Sequence, residues 1–203
     1  MGNLSAIPPV MPPDLVNTRL YFAYGSNMSS EQVLERKLKM TVVGTARLIN
    51  YKLMFNKKSK KDNSVGFANI IPFWGSEVHG VVYDISNLSK DESRKMPISV
   101  RPKSERDEII ATMRNNVSLL DKFEGYPDHY QKTNVGVILD VRIGTTEKIN
   151  AFTYIAGLEQ QATTNLFIRE EYIEKITKGL NEHKINEEYS SKTKSLMELW
   201  KVV

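Results

Sequence analysis

Apolar and polar residues alternate over short stretches through much of this chain, and the stretches stop at Gly, Ser, Asn or Pro. That pattern predicts strands at Leu20–Tyr24, at Met40–Asn56 in two pieces around Asn50-Tyr51, at Gly66–Pro72 and at Glu77–Asp84. Tyr130–Val141 and Lys148–Ile155 read as a hairpin with Gly144-Thr145-Thr146 at its turn. Helical spacing appears at Ser29–Leu38, which opens with Ser and Glu as a helix N-terminus favours. It recurs over Ser104–Phe123, through Ile109, Met113, Val117, Leu120 and Phe123. Asn165–Leu180, with Gly179 near its end, and Asn186–Val203 complete the helices. The expected fold class is α+β: a mixed, mainly antiparallel, barrel-like sheet flanked by helices.

Composition narrows the chemistry. The 203 residues suffice for one domain with a proper core, and 40% hydrophobic with 26% charged residues is ordinary for a soluble globular protein. No apolar run is long enough to span a membrane. Residues 1–17 hold Pro8, Pro9, Pro12 and Pro13 and read as a disordered leader rather than a signal peptide. The remainder, 18–203, reads as a single domain. There is no cysteine, which excludes disulfides, thiolate catalysis and zinc–thiolate sites and is compatible with the cytoplasm. His79, His129 and His183 are the only histidines and form no close pair, so no metal site is expected. No GxSxG elbow is present.

The net charge of +4 is concentrated in Lys57-Lys58-Ser59-Lys60-Lys61 and in a run from Arg94-Lys95 through Arg101, Lys103 and Arg106. Both read as solvated loops. The sharper alternative is attraction of small anions or of nucleic acid. Neither cluster has the aromatic interleaving of a nucleic-acid surface, so no nucleic-acid partner is expected.

Two stretches carry candidate chemistry. Tyr21 to Met28 runs from a strand into Gly25-Ser26-Asn27 and then a helix start, a turn that can aim backbone N–H groups at a carboxylate or an oxyanion. Gly25 would let the backbone reach positive φ or approach a ligand closely. The second stretch ends a helix at Glu124-Gly125, where glycine suits the C-cap. A glutamate behind Phe123 and at the negative end of a helix is pushed toward the range of a general base. A plain strand–helix turn and a solvated glutamate are the bland alternatives.

Taken together the motifs resemble the γ-glutamylcyclotransferase family. The resemblance rests on FAYGSNM at Phe22–Met28, GTARLINYKLMF at Gly44–Phe55, GFANIIP at Gly66–Pro72 and EVHGVVYDI at Glu77–Ile85. It continues with LLDKFEGYPDHY at Leu119–Tyr130, AFTYIA at Ala151–Ala156 and YIEKITKGLNEH at Tyr172–His183. The motifs occur in family order from about Arg19 to about Lys192. Asn27-Met28 fits the γ-glutamyl amino-acid branch better than the YGTL or YGSL loops of related enzymes.

The resemblance implies intramolecular aminolysis of a γ-glutamyl amino acid or small conjugate to 5-oxoproline, with Glu124 as general base and acid and with no cofactor. It implies substrate binding by Tyr24, Gly25, Ser26, Asn27 and Met28, and by Tyr130 and Tyr172, each of which reads equally as a half-buried core tyrosine. Tyr24 is read as framing the pocket and Arg47 as a structural salt-bridge partner. A homodimer is implied as well.

The charged segment 87–116 departs from the family pattern as an insertion: a lid, a partner site or a disordered stretch. Action on glutathione-conjugated secondary metabolites is the alternative substrate reading, with the basic insertion admitting a larger acidic substrate. A catalytically silent binding module is the alternative of another class.

Overall fold

The structure is a computed structural model that describes residues 19–142 and 144–201, so the expected leader at 1–17 lies outside the described residues. The order of elements is β1 (Leu20–Ala23), a 3₁₀ turn (Ser26–Met28), α1 (Ser30–Glu35), β2 (Thr41–Lys58) and β3 (Gly66–Asp84). Then come α2 (Lys90–Lys95), a 3₁₀ turn (Ile98–Val100), α3 (Lys103–Glu124), β4 (Tyr130–Arg142) and β5 (Thr145–Ala156). A 3₁₀ turn (Leu158–Gln160), α4 (Glu170–Glu182) and α5 (Glu187–Leu199) follow. Among the described residues no helix is long and apolar enough to cross a membrane.

The strands close into a barrel in the order β1-β3-β2-β4-β5, and β5 returns to β1. Every neighbour is antiparallel except β1 and β5, which run parallel. The expected α+β class with a mixed, mainly antiparallel barrel is therefore the observed one. Phe22, Phe55, Ile70, Val78 and Phe152 point inward from four strands and form the fully buried core.

Several element boundaries differ from the pattern reading, each for a local reason. The two pieces expected within Met40–Asn56 form one strand, because a register shift between Ile49 and Tyr51 absorbs the left-handed Asn50 (φ 64°). Gly66–Pro72 and Glu77–Asp84 likewise join into β3. The bulged Asn50 side chain accepts the Gly75 N–H at 3.1 Å and ties the two irregularities together. The helix expected from Asn165 begins only at Glu170. Leu166 and Phe167 instead donate backbone hydrogen bonds to Phe55 O and Ser64 O, and Ile168 to Trp200 O. Leu166 and Ile168 thus follow the period of two of an extended chain.

The segment 87–116 is not an irregular loop. It forms α2 and the first half of the 22-residue α3. α2 starts with a capping box between Ser89 and Glu92. Arg101, expected on a solvated surface, is buried and donates to Met96 O (3.1 Å) and Glu92 O (2.7 Å) and pairs with Glu105.

Asn116 fixes α3 to the barrel. Fully buried, it accepts Lys39 N–H at 2.9 Å and donates to Lys39 O at 2.5 Å and Ile85 O at 2.9 Å. Eight residues later, about 12 Å along the axis, the same helix ends at Glu124.

Candidate functional site

One end of the barrel, where β1 and β2 finish and β3, β4 and α4 begin, holds a cavity of about 480 Å³. It is walled by the Tyr24–Asn27 turn, the end of α3 with Glu124, and Tyr130, Tyr154 and Tyr172.

The turn is built as a tight single coil. Met28 N–H closes onto Gly25 O at 3.0 Å and Ser29 N–H onto Ser26 O at 3.1 Å. The N–H groups of Gly25, Ser26 and Asn27 donate to no protein acceptor among the described residues. Gly25 does not adopt positive φ (φ −117°, ψ −143°). A Cβ there would lie 3.2 Å from Ala68 Cβ and 3.3 Å from the Tyr172 hydroxyl. Close approach, rather than handedness, accounts for glycine here. Met28 is absent from the cavity wall: its N–H is committed to the turn and its side chain lies in the core. Of the residues expected to bind substrate, Met28 is the one the structure does not bring to the cavity.

Glu124 is the last residue of α3, and Gly125 caps the helix in the left-handed region (φ 67°). Its side chain is 16% exposed. Oε1 accepts from Arg36 Nη1 at 2.9 Å and from Asn27 Nδ2 at 3.1 Å. Oε2 has no protein partner among the described residues. The same Nη1 of Arg36 donates to Asn27 Oδ1 at 2.8 Å, and Asn27 Nδ2 also donates to the Tyr21 hydroxyl at 2.9 Å. Turn, helix α1 and helix α3 thus meet in one hydrogen-bonded cluster at the carboxylate.

Phe123 is exposed rather than a wall behind Glu124, and its ring carries the Arg36 guanidinium at 4.8 Å. Burial next to Phe123 was the expected environment. The observed one is an ion pair and an amide.

The tyrosines divide by what their hydroxyls do. Tyr24 donates to Tyr154 O at 2.5 Å and Tyr130 to Ala68 O at 2.6 Å, so both offer the cavity mainly a ring. Tyr172 instead accepts Ala68 N–H at 3.2 Å, which leaves its own proton to donate. Burial pushes the Tyr172 phenol up to about 12, and it raises Tyr24 and Tyr130 well above the ordinary phenol value. All three stay protonated near neutral pH and serve as donors or walls, not bases. Arg47 pairs with Glu77 at 3.3 Å away from the cavity, the structural role expected of it.

Tyr21, Arg36, Lys57 and Lys60 also line the cavity, and none of them was among the expected site residues. Tyr21 reads as one more strand residue and Arg36 as one more charge at a helix end. Lys57 and Lys60 belong to the lysine cluster expected to be solvated; that expectation fails for Lys57, which is 5% exposed. None of the described residues in 87–116 lines the cavity, so the basic insertion does not widen it. Among the described residues no group of three or more His, Asp or Glu side chains comes together as a metal site would.

No model of a known protein family matches the chain. It is 27% identical over 185 residues to the mouse γ-glutamylcyclotransferase, covering 88% of this chain and 79% of that one. To the cattle γ-glutamylcyclotransferase it is 37% identical over 93 residues, covering 40% of this chain and 50% of the relative. A solved structure named γ-glutamyl cyclotransferase superposes with a TM-score of 0.60 at 25% identity, covering 87% of this chain and 86% of that one. The fold is shared as well with YkqA from Bacillus subtilis (TM-score 0.64, 21% identity), over 92% of this chain and 56% of that protein. The chain is therefore an enzyme with the fold of these proteins, similar over most of its length to γ-glutamylcyclotransferases.

Proposed function

We propose that the protein is a γ-glutamylcyclotransferase, converting a γ-glutamyl amino acid or small γ-glutamyl conjugate to 5-oxoproline and a free amine. The observation that carries this reading is the Glu124 carboxylate, hydrogen-bonded to Asn27 of the turn whose free amides share its cavity.

The reaction needs a proton taken from the substrate's α-ammonium, and Glu124 Oε2 is the oxygen left to take it. The freed amine attacks the γ-carbonyl carbon, a carbon–nitrogen bond closes the five-membered ring, and the carbonyl oxygen becomes an oxyanion. Amides of Gly25, Ser26 and Asn27 are suited to the substrate's negative oxygens, with Tyr172 as a further donor. The intermediate collapses as the bond to the leaving nitrogen breaks. In sum, the ring nitrogen ends as an amide N–H and the leaving nitrogen as an ammonium. Two protons pass from one to the other, carried by Glu124 and solvent. Arg36 and Asn27 hold the carboxylate in place while it works.

The test is release of 5-oxoproline from γ-Glu-Ala by wild type and by Glu124→Gln, with circular dichroism confirming that both are folded. The substitution should lower kcat by about 10²–10⁴. Equal release by the two proteins would show that Glu124 is not the base.

A further inference from the structure

The cavity is more basic than cyclising a glutamyl group requires. Arg36, Lys57, Lys60, Lys61, Arg169 and Lys175 line it, against only Glu124 and Glu171. Arg36 is paired with Glu124 and Lys175 with Glu35. Lys57 and Lys60 have no carboxylate within ion-pair distance and no hydrogen-bond acceptor for their ammoniums among the described residues.

Lys57 is the more telling of the two. Its ammonium lies 5.4 Å from the Phe67 ring centre and 5.5 Å from that of Tyr130. The rings offset part of the cost of desolvating the charge, but they supply no anion. Lys60 Nζ lies 3.2 Å from the position a Cβ on Gly125 would occupy, so it stands beside the residue that follows the base. Burial and the neighbouring Lys60 charge lower the Lys57 pKa, with Glu124 opposing them. Lys57, buried with no counter-ion of its own and with the exposed Lys60 lining the same cavity, is electrostatically incomplete until an anion arrives.

We infer that Lys57 and Lys60 form a subsite for a carboxylate carried by the leaving amine, so that the enzyme selects γ-glutamyl amino acids or peptides over γ-glutamyl amines. The inference rests on the proposed cyclisation. In that reaction the glutamyl α-ammonium belongs at Glu124, and the oxygens of the glutamyl end face the Gly25–Asn27 amides. The anion left over is on the leaving side. A neutral leaving group would leave the buried Lys57 side chain without a counter-ion, a penalty that a carboxylate there removes.

The experiment compares γ-Glu-Ala with γ-glutamyl-ethylamide, whose leaving amine lacks the carboxylate. For wild type, kcat/KM should favour γ-Glu-Ala by about tenfold or more. Lys57→Met and Lys60→Met should each shrink that ratio, chiefly through KM for γ-Glu-Ala, and Lys57→Arg should retain it. A ratio unchanged in both Met variants overturns the inference. So does an equal loss on both substrates, which would assign the lysines to the glutamyl α-carboxylate. Calorimetric binding of the same two compounds to Glu124→Gln reads the subsite without turnover. Preference for γ-Glu-Ala there, without 5-oxoproline from wild type, would keep the subsite and reject the cyclisation. Cyclisation of both compounds with equal affinity would do the reverse.

Discussion

A lysine ammonium held over two aromatic rings titrates earlier than one in water, because the charged form is the one that burial penalises. For Lys57 the penalty of burial is the largest influence, the Lys60 charge adds to it, and Glu124 works against both. His129, itself lowered by burial and by Lys57 and Lys60, stands in the same positive field. Phe67, Tyr130 and, behind Phe67, Tyr172 complete the surroundings without adding charge near neutral pH. The sign follows directly. Lys57 is charged below its lowered pKa, so preference for γ-Glu-Ala over γ-glutamyl-ethylamide is complete only below that pKa. It falls as pH rises, and at a lower pH than the ordinary lysine value of 10.5. Both substrates share the α-ammonium and Glu124, so those titrations cancel in the ratio. A ratio that stays flat to pH 10.5 would contradict the assignment. At this scale Glu124 and Gly25–Asn27 were legible, because a helix stop and a strand–helix turn leave local patterns. Arg36 was not, and Lys57 stood out only as one of a lysine cluster open to small anions: Arg36 meets Glu124, 88 residues away, and Lys57 a ring from β4.

Between elements, the 3₁₀ turn is held from behind by α4. A Cβ on Gly179 would lie 2.5 Å from Met28 Cβ, 2.8 Å from Met28 C and 2.8 Å from Ser29 N. His183 Nε2 donates to Met28 O at 2.9 Å, and Tyr83 donates to the same oxygen at 3.2 Å. Gly179→Ala gains about 1 kcal/mol of helix propensity. The overpacking it forces costs about 1–3 kcal/mol, and because two of the clashing atoms are backbone the cost prevails. Thermal melting should therefore show a lower Tm. Activity on γ-Glu-Ala should fall further than on stability grounds alone, since the displaced turn carries the Gly25–Asn27 amides. A raised Tm would mean that α4 can move without the turn. The pattern of elements was legible where one period ran unbroken, as in the β4–β5 hairpin and along α3. It misled at Leu166 and Ile168, because two apolar residues two apart fit a strand and the edge of a helix alike, and only the Phe55 and Trp200 carbonyls decide between them. Nor could a local pattern show that Asn116 anchors the inserted segment to Lys39 and Ile85.

The molecule as a whole is a barrel with uneven seams. β2 and β3 pair along almost their full length, whereas β1 meets β5 at the single register pair Tyr21–Phe152. Side chains complete that seam: Thr153 Oγ1 donates to Phe22 O at 2.8 Å, and Tyr24 reaches Tyr154 O. Tyr21 packs edge-on against Tyr154 at 6.0 Å between ring centres. Asn69 adds a further tie, accepting Ala156 N–H at 2.9 Å and donating to Asn56 Oδ1 at 3.0 Å. The catalytic reading depends on this seam, because the Gly25–Asn27 turn begins where β1 ends. Thr153→Val keeps the shape of the side chain and removes its hydrogen bond. The loss should be about 1 kcal/mol, and more to the extent that Phe22 O is left without a partner. For a chain of this size each kcal/mol lowers Tm by about 2–4 °C. Native-state hydrogen exchange separates a weakened seam from general loosening. The amides of Tyr21–Ala23 and Phe152–Tyr154 should lose protection while the β2–β3 ribbon keeps its own until global unfolding. Uniform loss across the sheet would mean that the barrel opens as one unit, and that β1 holds the turn as firmly as any other strand would.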